Sequence, residues 1–429
     1  METSVITDAW QKSKLLIKAL LIGVLALVLL IPAYFVQDLI RERQARQKEA
    51  IAEVSSKWAG NQTLTGPVLV LPYQEIFQED NKILTVRKLA YILPDKLSIQ
   101  AVANPEKRYR GIYQVMLYSS DIRITGKFNS IPLQQLKIDP ANVLWQEAYV
   151  CVGLSDVKGL KEEISLNWND TAVLLSPSSV NNAVMKDAVT SGVKVEDGKE
   201  INFSATVSIN GSGQLLFTPV GKETTVALSS TWPDPSFTGG QLPDHRITDS
   251  GFVATWKSLA HTRNFPQAWK EASYQLEASS FGADLFIPVS GYQKTMRSVK
   301  YAILCILLTF AAFFIIETVN KKSVHPFQYA LIGLALILFY TLLLSISEYT
   351  GFNTAYIIAS FATVGLIAWF VKGILQSARL SSILSVVLVL MYGYIFSILQ
   401  LQDYSLLLGS VGLFLTLGVI MHFSKRIQW

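Results

Sequence analysis

The sequence contains few charged residues and only two cysteines. Charged residues make up 16% of the 429-residue chain, whereas a soluble protein of this size carries about a quarter. The deficit is confined to residues 15–35 and to the stretch from residue 301 onward, while residues 37–300 have the composition of a globular domain. Two compositions in one chain indicate that lipid surrounds one part and water the other.

The two cysteines, Cys151 and Cys305, fall in these two different parts. We therefore expect no disulfide between them, and a soluble part of about 260 residues can bury a core without one. No run of Lys and Arg indicates binding to nucleic acid, and the net charge is only +5.

The sequence also lacks the short motifs of well-known catalytic and cofactor sites. H-E-x-x-H, G-x-S-x-G, the P-loop, C-x-x-C and the dinucleotide fingerprint do not occur. His245 and His261, with Asp244 or Asp249, are the remaining candidates for a metal or acid–base site, although their spacing favours histidines in surface loops. The sequence therefore predicts no enzyme, no metal and no cofactor, and a hydrolase that uses these histidines stays an alternative.

Six apolar segments are long enough to cross a bilayer. Residues 15–35 would span about 32 Å as a helix, which exceeds a hydrocarbon core of about 30 Å. We expect Lys18, near the start, to extend to the interface. A cleaved signal peptide is the alternative for this segment, but its apolar run is too long and no cleavage pattern follows. The other five segments are residues 301–319, 327–346, 354–371, 381–399 and 406–423.

The loops between these segments predict how the chain is oriented. Loops after the second and fourth segments carry Lys and Arg, whereas residues 347–353 and 400–405 carry only Glu348 and Asp403. The positive-inside rule then places both termini in the cytoplasm and the large domain outside. Several basic residues beside the domain oppose this orientation, but long domains translocate largely regardless of charge. They are Arg41, Arg43, Arg46, Lys48, Lys294, Arg297 and Lys300.

The long stretch between the first two segments is predicted to be β structure. Residues 201–209 alternate apolar and polar side chains, which is typical of a strand with one buried face, and residues 210–213 (NGSG) predict a hairpin turn after it. Residues 38–58 carry good helix formers and predict a helical stem. The predicted fold is a membrane protein with a six-helix transmembrane bundle and a large inserted antiparallel, sandwich-like β domain.

The predicted boundaries follow from these patterns. Residues 1–36 form the cytoplasmic N-terminus and first transmembrane helix, 37–60 the stem, 61–299 the periplasmic β domain, and 300–429 a five-helix bundle with a cytoplasmic C-terminus. Segment 230–242 of the β domain (STWPDPSFTGGQL) places Trp232 and Phe237 on a backbone that Pro233 and Pro235 stiffen. Rigid aromatics contact partners well, although the same side chains would also serve to pin a loop to the sheet.

Several blocks of the sequence resemble a known family. Residues 231–237 (TWPDPSF), 250–256 (SGFVATW), 325–329 (HPFQY) and 347–352 (SEYTGF) are similar to blocks of the CreD inner-membrane proteins and occur in the family's order. Pro235, Phe237, His325 and Pro326 match its motifs, and Glu348 lies in the last block. The resemblance implies an inner-membrane protein of Gram-negative bacteria that is expressed under two-component control and linked to envelope integrity. It implies no known reaction and no catalytic residue.

These patterns leave three hypotheses for the function. The first is a non-enzymatic protein whose periplasmic domain binds an envelope protein or a cell-wall or lipid component. The second is a transporter or lipid-handling protein, since five glycines of the bundle could allow close helix packing around a path, although no ionisable residue lies in mid-span. The third is the hydrolase. The glycines are Gly333, Gly365, Gly393, Gly409 and Gly412.

Overall fold

The fold is taken from a computed structural model of the whole chain. The structure describes residues 16–79, 82–177, 185, 187–271, 274–285, 291–320, 322–401, 407–412, 414, 418 and 421. Residues 1–15, which include most of the predicted cytoplasmic N-terminus, and half of the sixth apolar segment lie outside the described residues.

Apolar helices account for the charge-poor parts of the sequence. Among the described residues, five helices are long and apolar enough to cross a membrane: α1 (Leu16–Trp58), α3 (Ala302–Val319), α4 (Pro326–Thr350), α5 (Phe352–Leu375) and α6 (Ala378–Gln400). A short helix, α2 (Gly291–Lys300), precedes α3. Many large apolar side chains on these helices face outward, which is expected where lipid is the solvent. Helix α1 continues through the predicted stem to Trp58.

The chain divides into two compact units. One unit comprises Met1–Lys48 and Val289–Trp429, and the other comprises Glu49–Pro288. In the first unit, Gly351 separates α4 from α5 with a backbone φ of 82°, a conformation that favours glycine, so the chain reverses there within one residue. The prediction of an N-terminal apolar helix, a β domain and a C-terminal group of apolar helices is confirmed.

The described part of the second unit contains sixteen strands. They are β1 (Gln62–Glu79), β2 (Lys82–Ile92), β3 (Lys96–Arg110), β4 (Tyr113–Phe128), β5 (Tyr149–Leu154), β6 (Ile164–Trp168), β7 (Thr171–Pro177), β8 (Ala188–Gly192), β9 (Ile201–Ser212), β10 (Gln214–Phe217), β11 (Glu223–Ser230), β12 (Ser236–Gly239), β13 (Asp244–Thr248), β14 (Gly251–Leu259), β15 (Ala268–Lys270) and β16 (Phe281–Asp284).

The strands are joined in one mixed arrangement. The order is β12-β16-β10-β1-β5-β8-β7-β6-β9-β4-β3-β11-β14-β13, and β2 pairs with β1 and β15. Most pairs are antiparallel, as predicted, but β1 with β10 and β3 with β11 are parallel. Strand β7 pairs with β6 through Thr171–Leu175 and with β8 through Ser176 and Pro177, so it links two halves that share one buried core.

The predicted hairpin at residues 210–213 is wrong. Asn210 and Gly211 remain in β9, where they pair with Ser119 and Tyr118 of β4. The chain does turn at Gly213, which has a φ of 70°, but β10 then pairs with β1 and β16 instead of β9. Gly211 is required for a close contact, because a Cβ there would lie 2.3 Å from the Tyr118 hydroxyl. The glycines in this segment therefore serve packing and a change of strand neighbour.

Candidate functional site

The first candidate residue of the β domain, Trp232, is a packed side chain. Only 7% of it is exposed, its indole N–H donates to the Asp234 carbonyl oxygen at 2.9 Å, and the Lys107 ammonium lies 5.3 Å from the ring centroid. Pro233 and Pro235 flank Asp234 and are half-buried. These contacts hold the segment that leads from β11 to β12 against the sheet.

Phe237 lies at the centre of an aromatic cluster. It belongs to β12, which pairs with β16, so part of the segment interpreted as a loop is a strand. The centroid of its ring lies 4.9 Å from the ring centroid of His245, 5.6 Å from that of Phe252 and 5.8 Å from that of Trp256. Because β12 and β13 stand at the two ends of the strand order, the Phe237–His245 contact connects those ends through side chains.

Next to this cluster lies a surface that the sequence did not indicate. Strand β13 is the last in the strand order, it pairs with β14, and all five of its residues are exposed. Ile247 is 45% exposed, and Leu242, just before the strand, is 79% exposed. One edge of β13 therefore has no strand partner among the described residues, and such edges accept an added strand from another chain. The sequence signal for this edge was the set of charged residues in 244–248 (DHRIT), because charged side chains are typical of edge strands.

The histidines of the hydrolase alternative occupy ordinary positions. His245 packs against Phe237, and its Nδ1 lies 3.3 Å from the Pro243 carbonyl oxygen. His261 is exposed in a turn at Ala260–Thr262. Across the described ranges, no group of three or more His, Cys, Asp or Glu side chains is arranged to hold a metal ion.

In the first unit, His325 and Pro326 begin helix α4. The Phe327 N–H donates to His325 Nδ1 at 3.2 Å, and the His325 N–H donates to the Gln328 side-chain oxygen at 3.0 Å. These reciprocal bonds form a capping box, and Pro326 occupies the first helical position, where a missing N–H costs nothing. The HPFQ sequence is therefore explained by the start of a helix.

Glu348 binds two other elements at the opposite end of α4. The Tyr292 hydroxyl of α2 donates to Glu348 Oε1 at 2.9 Å, and Arg43 Nε of α1 lies 3.9 Å from the same oxygen. The Glu348 side chain is largely buried. A buried carboxylate is stable only when it is paired and hydrogen-bonded, so these contacts fix α1 and α2 against the end of α4.

Glu317 is a second buried carboxylate, near the end of α3, and sequence reasoning gave it no partner. It accepts hydrogen bonds from the Lys18 ammonium, from the Val324 N–H at 2.9 Å and from the Tyr329 hydroxyl at 2.7 Å. Lys18 also donates to the Val324 carbonyl oxygen at 2.7 Å. Lys18 therefore pairs with Glu317 instead of simply extending to the interface. The available signal was one isolated cation and one isolated anion in apolar segments.

A shallow crevice separates α5 from α6. It has a volume of about 170 Å³ and is lined mainly by aromatic and branched apolar side chains, among them Tyr356, Phe361, Tyr392 and Phe396. The Tyr356 hydroxyl donates to the Tyr392 carbonyl oxygen at 2.9 Å, which joins the two helices beside the crevice. The described start of the sixth apolar segment contacts α6 through Tyr394, whose hydroxyl donates to the Leu408 carbonyl oxygen.

Comparison with known sequences identifies the family. Residues 14–429 match the family model described as "Inner membrane protein CreD". This chain belongs to the CreD family. It is 30% identical over 416 residues to the inner membrane protein CreD of Escherichia coli strain K12, and the alignment covers 94% of this chain and 91% of that protein. A CreD protein with five described membrane-length helices is a multi-pass protein of the inner membrane.

Two solved structures of low similarity add nothing to the CreD relationship. Two crystal structures of a mutant M1 zinc metallopeptidase from Deinococcus radiodurans, one with a bound Tyr-Ser-Ala substrate, are 9% identical to this chain. Their TM-scores are 0.21 and 0.19, with 39% of this chain covered in both cases and 39% and 38% of the peptidase. Similarity at this level carries no argument about fold or activity.

Proposed function

We propose that this protein supports the integrity of the cell envelope without catalysing a reaction, and that its β domain binds an envelope component in the periplasm. Family membership supports a role in the inner membrane. The positive residues of the short loops support a periplasmic position of the domain. The open edge of β13 is the observation that carries the binding role.

The mode of binding that fits this edge is addition of a β-strand from a partner protein. Backbone N–H and C=O groups on an open edge give affinity, and side chains beside them give specificity. The exposed Ile247 and Leu242 supply apolar contacts there. In this proposal Trp232 and Phe237 contribute to partner binding by holding the edge in place, because Phe237 packs directly on His245 of β13.

Site-specific crosslinking in native membranes tests the binding surface. A photo-crosslinking amino acid is placed at Ile247, and at Leu174 of β7 as a matched control, since Leu174 is also an exposed aliphatic residue at 58%. We expect a discrete crosslinked protein from position 247 and none from position 174. The substitution Ile247→Asp should then reduce detergent resistance in a deletion strain that carries the variant, whereas Leu174→Asp should restore resistance as the wild type does.

Two results would count against this proposal. Equal crosslinking from both positions would mean that the domain has no preferred contact at β13. Unchanged sensitivity to detergents and envelope-directed toxins after deletion of the gene would remove the envelope role itself.

The crevice between α5 and α6 favours a second candidate, a lipid-handling protein. Its apolar lining suits an acyl chain, and Ile357 and Phe361 beside it are exposed on the surface that faces lipid. Transfer of a fluorescent phospholipid between leaflets of liposomes that contain the full chain would favour this candidate over the first.

A further inference from the structure

A second cavity lies where α1 begins and the loop before α4 returns into the first unit. Its volume is about 490 Å³. Four of its lining residues carry polar side chains, namely Lys18, Ser323, His325 and Gln328, and Ile17 and Leu21 of α1 add an apolar side. The lining therefore has a polar region and an apolar region in one site.

Glu317 holds the elements that line this cavity in place, but it is not itself a lining residue. The carboxylate is 4% exposed and accepts from Lys18, the Val324 N–H and the Tyr329 hydroxyl, so it fixes both α1 and the loop that carries Ser323 and His325. An ammonium group has three N–H donors, and among the described residues Lys18 uses two of them, on Glu317 and on the Val324 carbonyl oxygen, which leaves one N–H without a described acceptor. The ammonium also lies 6.0 Å from the centroid of the Tyr329 ring. The side chain of Lys18 keeps 20% exposure.

The other polar residues also present donors. His325 Nδ1 accepts from the Phe327 N–H, which makes Nε2 the protonated nitrogen of a neutral ring. The Gln328 side-chain oxygen accepts from the His325 N–H, which leaves its amide N–H₂ group. Ser323 adds a hydroxyl, and the exposed Lys322 precedes it in the chain. The backbone of the α4 start is already capped, so side chains are the donors.

We propose that this cavity binds the phosphate group of an anionic phospholipid. Its described lining residues combine ammonium, imidazole, hydroxyl and amide donors and include no carboxylate, and this set suits a phosphate oxygen cluster. The cavity stands at the start of the apolar part of α1, which is where a headgroup meets the hydrocarbon core, and Ile17 and Leu21 would contact the glycerol and upper acyl region. Basic pockets between transmembrane helices bind anionic headgroups in this way. The site is separate from the β domain and goes beyond the proposed function.

Native mass spectrometry of the full chain released from detergent micelles tests the site. The protein is titrated with phosphatidylglycerol or phosphatidylcholine of the same chain length, and the dissociation constant of the first bound lipid is measured. We expect phosphatidylglycerol to bind about fivefold more tightly, the ratio that one cationic contact at a membrane surface supplies. Ser323→Glu, at an exposed position of the cavity rim, should abolish that preference.

Matched variants separate the site from general charge effects. Gln376→Glu adds the same charge at an exposed position after α5 that does not line the cavity, and it should keep the preference. The double variant Lys18→Gln/Glu317→Gln removes the ammonium without leaving a buried unpaired carboxylate, and it should lose the preference while the protein stays folded.

Three outcomes would overturn the proposal. The first is equal binding of the two lipids by the wild-type protein. The second is that Ser323→Glu and Gln376→Glu show the same preference for phosphatidylglycerol, whether both keep it or both lose it. The third is displacement of phosphatidylglycerol by inorganic phosphate at the same concentration, which would make the cavity a site for free phosphate instead of lipid.

Discussion

Buried carboxylates in the first unit show how single residues fix the geometry of a membrane helix. Glu317 pairs with Lys18, and Glu348 lies 3.9 Å from Arg43. Both cations belong to α1 and are 25 positions apart, which is about 38 Å along a helix. This separation slightly exceeds a hydrocarbon core of about 30 Å, so both ion pairs stand near the membrane boundaries, where burying a charge costs least.

Two buried tyrosines of the β domain allow a matched test at the residue scale. The Tyr73 hydroxyl has no hydrogen-bond partner among the described residues, whereas the Tyr118 hydroxyl donates to the Gln214 carbonyl oxygen at 2.6 Å. We expect Tyr73→Phe to leave the unfolding free energy unchanged or slightly higher. Tyr118→Phe should lower it by about 1–3 kcal/mol, because the partly buried Gln214 carbonyl loses the donor that Tyr118 supplies. Pulse proteolysis of the full chain in urea measures both, and equal effects would contradict the prediction.

The difference in unfolding free energy between Tyr73→Phe and the wild-type protein depends on pH. Burial, with Glu271 and Glu75 nearby, raises the pKa of Tyr73 from 10.0 to about 12. Between these values the unfolded chain loses the proton and the folded protein keeps it, so wild-type stability falls as the pH rises from about 10 to 12. Tyr73→Phe lacks this contribution. Its stability relative to wild type should therefore increase between pH 7 and pH 11 in the same assay, and a constant difference would contradict the assigned cause.

At the scale of elements, glycines have different structural roles at different positions of the helix bundle. A Cβ on Gly333 of α4 would lie 2.1 Å from Leu29 Cδ1 of α1 and 3.0 Å from Phe310, whereas a Cβ on Gly365 of α5 would meet no atom of the described residues within 4 Å. The sequence did not separate the two glycines, because each stands in an apolar segment. Helix contact at Gly333 is therefore close, whereas Gly365 has no close contact with the described residues.

Leucine substitutions at these glycines test that distinction. Gly333→Leu should lower stability by about 1–3 kcal/mol or more, because the added atoms collide with the side chains of Leu29 and Phe310, which must shift. Gly365→Leu should be neutral or slightly stabilising, since leucine favours a helix over glycine. The midpoint of thermal unfolding in detergent, followed by circular dichroism, measures both variants. If Gly333→Leu unfolds at the wild-type temperature, α1 does not pack on α4 as described.

Local patterns predicted most elements, and long-range pairing decided what they could not. Alternation identified the strand beginning at Ile201, and the apolar lengths identified the helices that the structure describes. The glycines at 211 and 213 look like a hairpin turn because that inference uses neighbouring residues alone. Whether β10 joins β9 or β1 depends on strands that lie far away in sequence. The open edge of β13 and the partners of Glu317 also depend on residues far away in sequence, so local patterns did not predict them.

At the scale of the whole molecule, the two ion pairs indicate which helix ends lie at the same membrane boundary. Lys18 and the loop before α4 share one boundary, while Arg43, α2 and the end of α4 share the other. The chain near Lys18's boundary carries Lys322 in the loop before α4, Lys372 in the last turn of α5 and Arg379 in the first turn of α6. From the positive-inside rule we propose that this boundary is cytoplasmic and that the chain leaves the membrane into the periplasm at the end of α1 that carries Arg43.

Cysteine labelling in cells tests this orientation. Both native cysteines, Cys151 and Cys305, are buried, so they contribute little background to labelling by a membrane-impermeant maleimide. Ser165→Cys, at an exposed position of β6, should react once the outer membrane is permeabilised. Gln376→Cys, exposed after α5, should react only after the inner membrane is broken. Both variants must be labelled equally in detergent, which controls for intrinsic reactivity. Protection of position 165 with labelling of position 376 in intact inner membranes would invert the orientation, because the two residues are separated by an odd number of crossings.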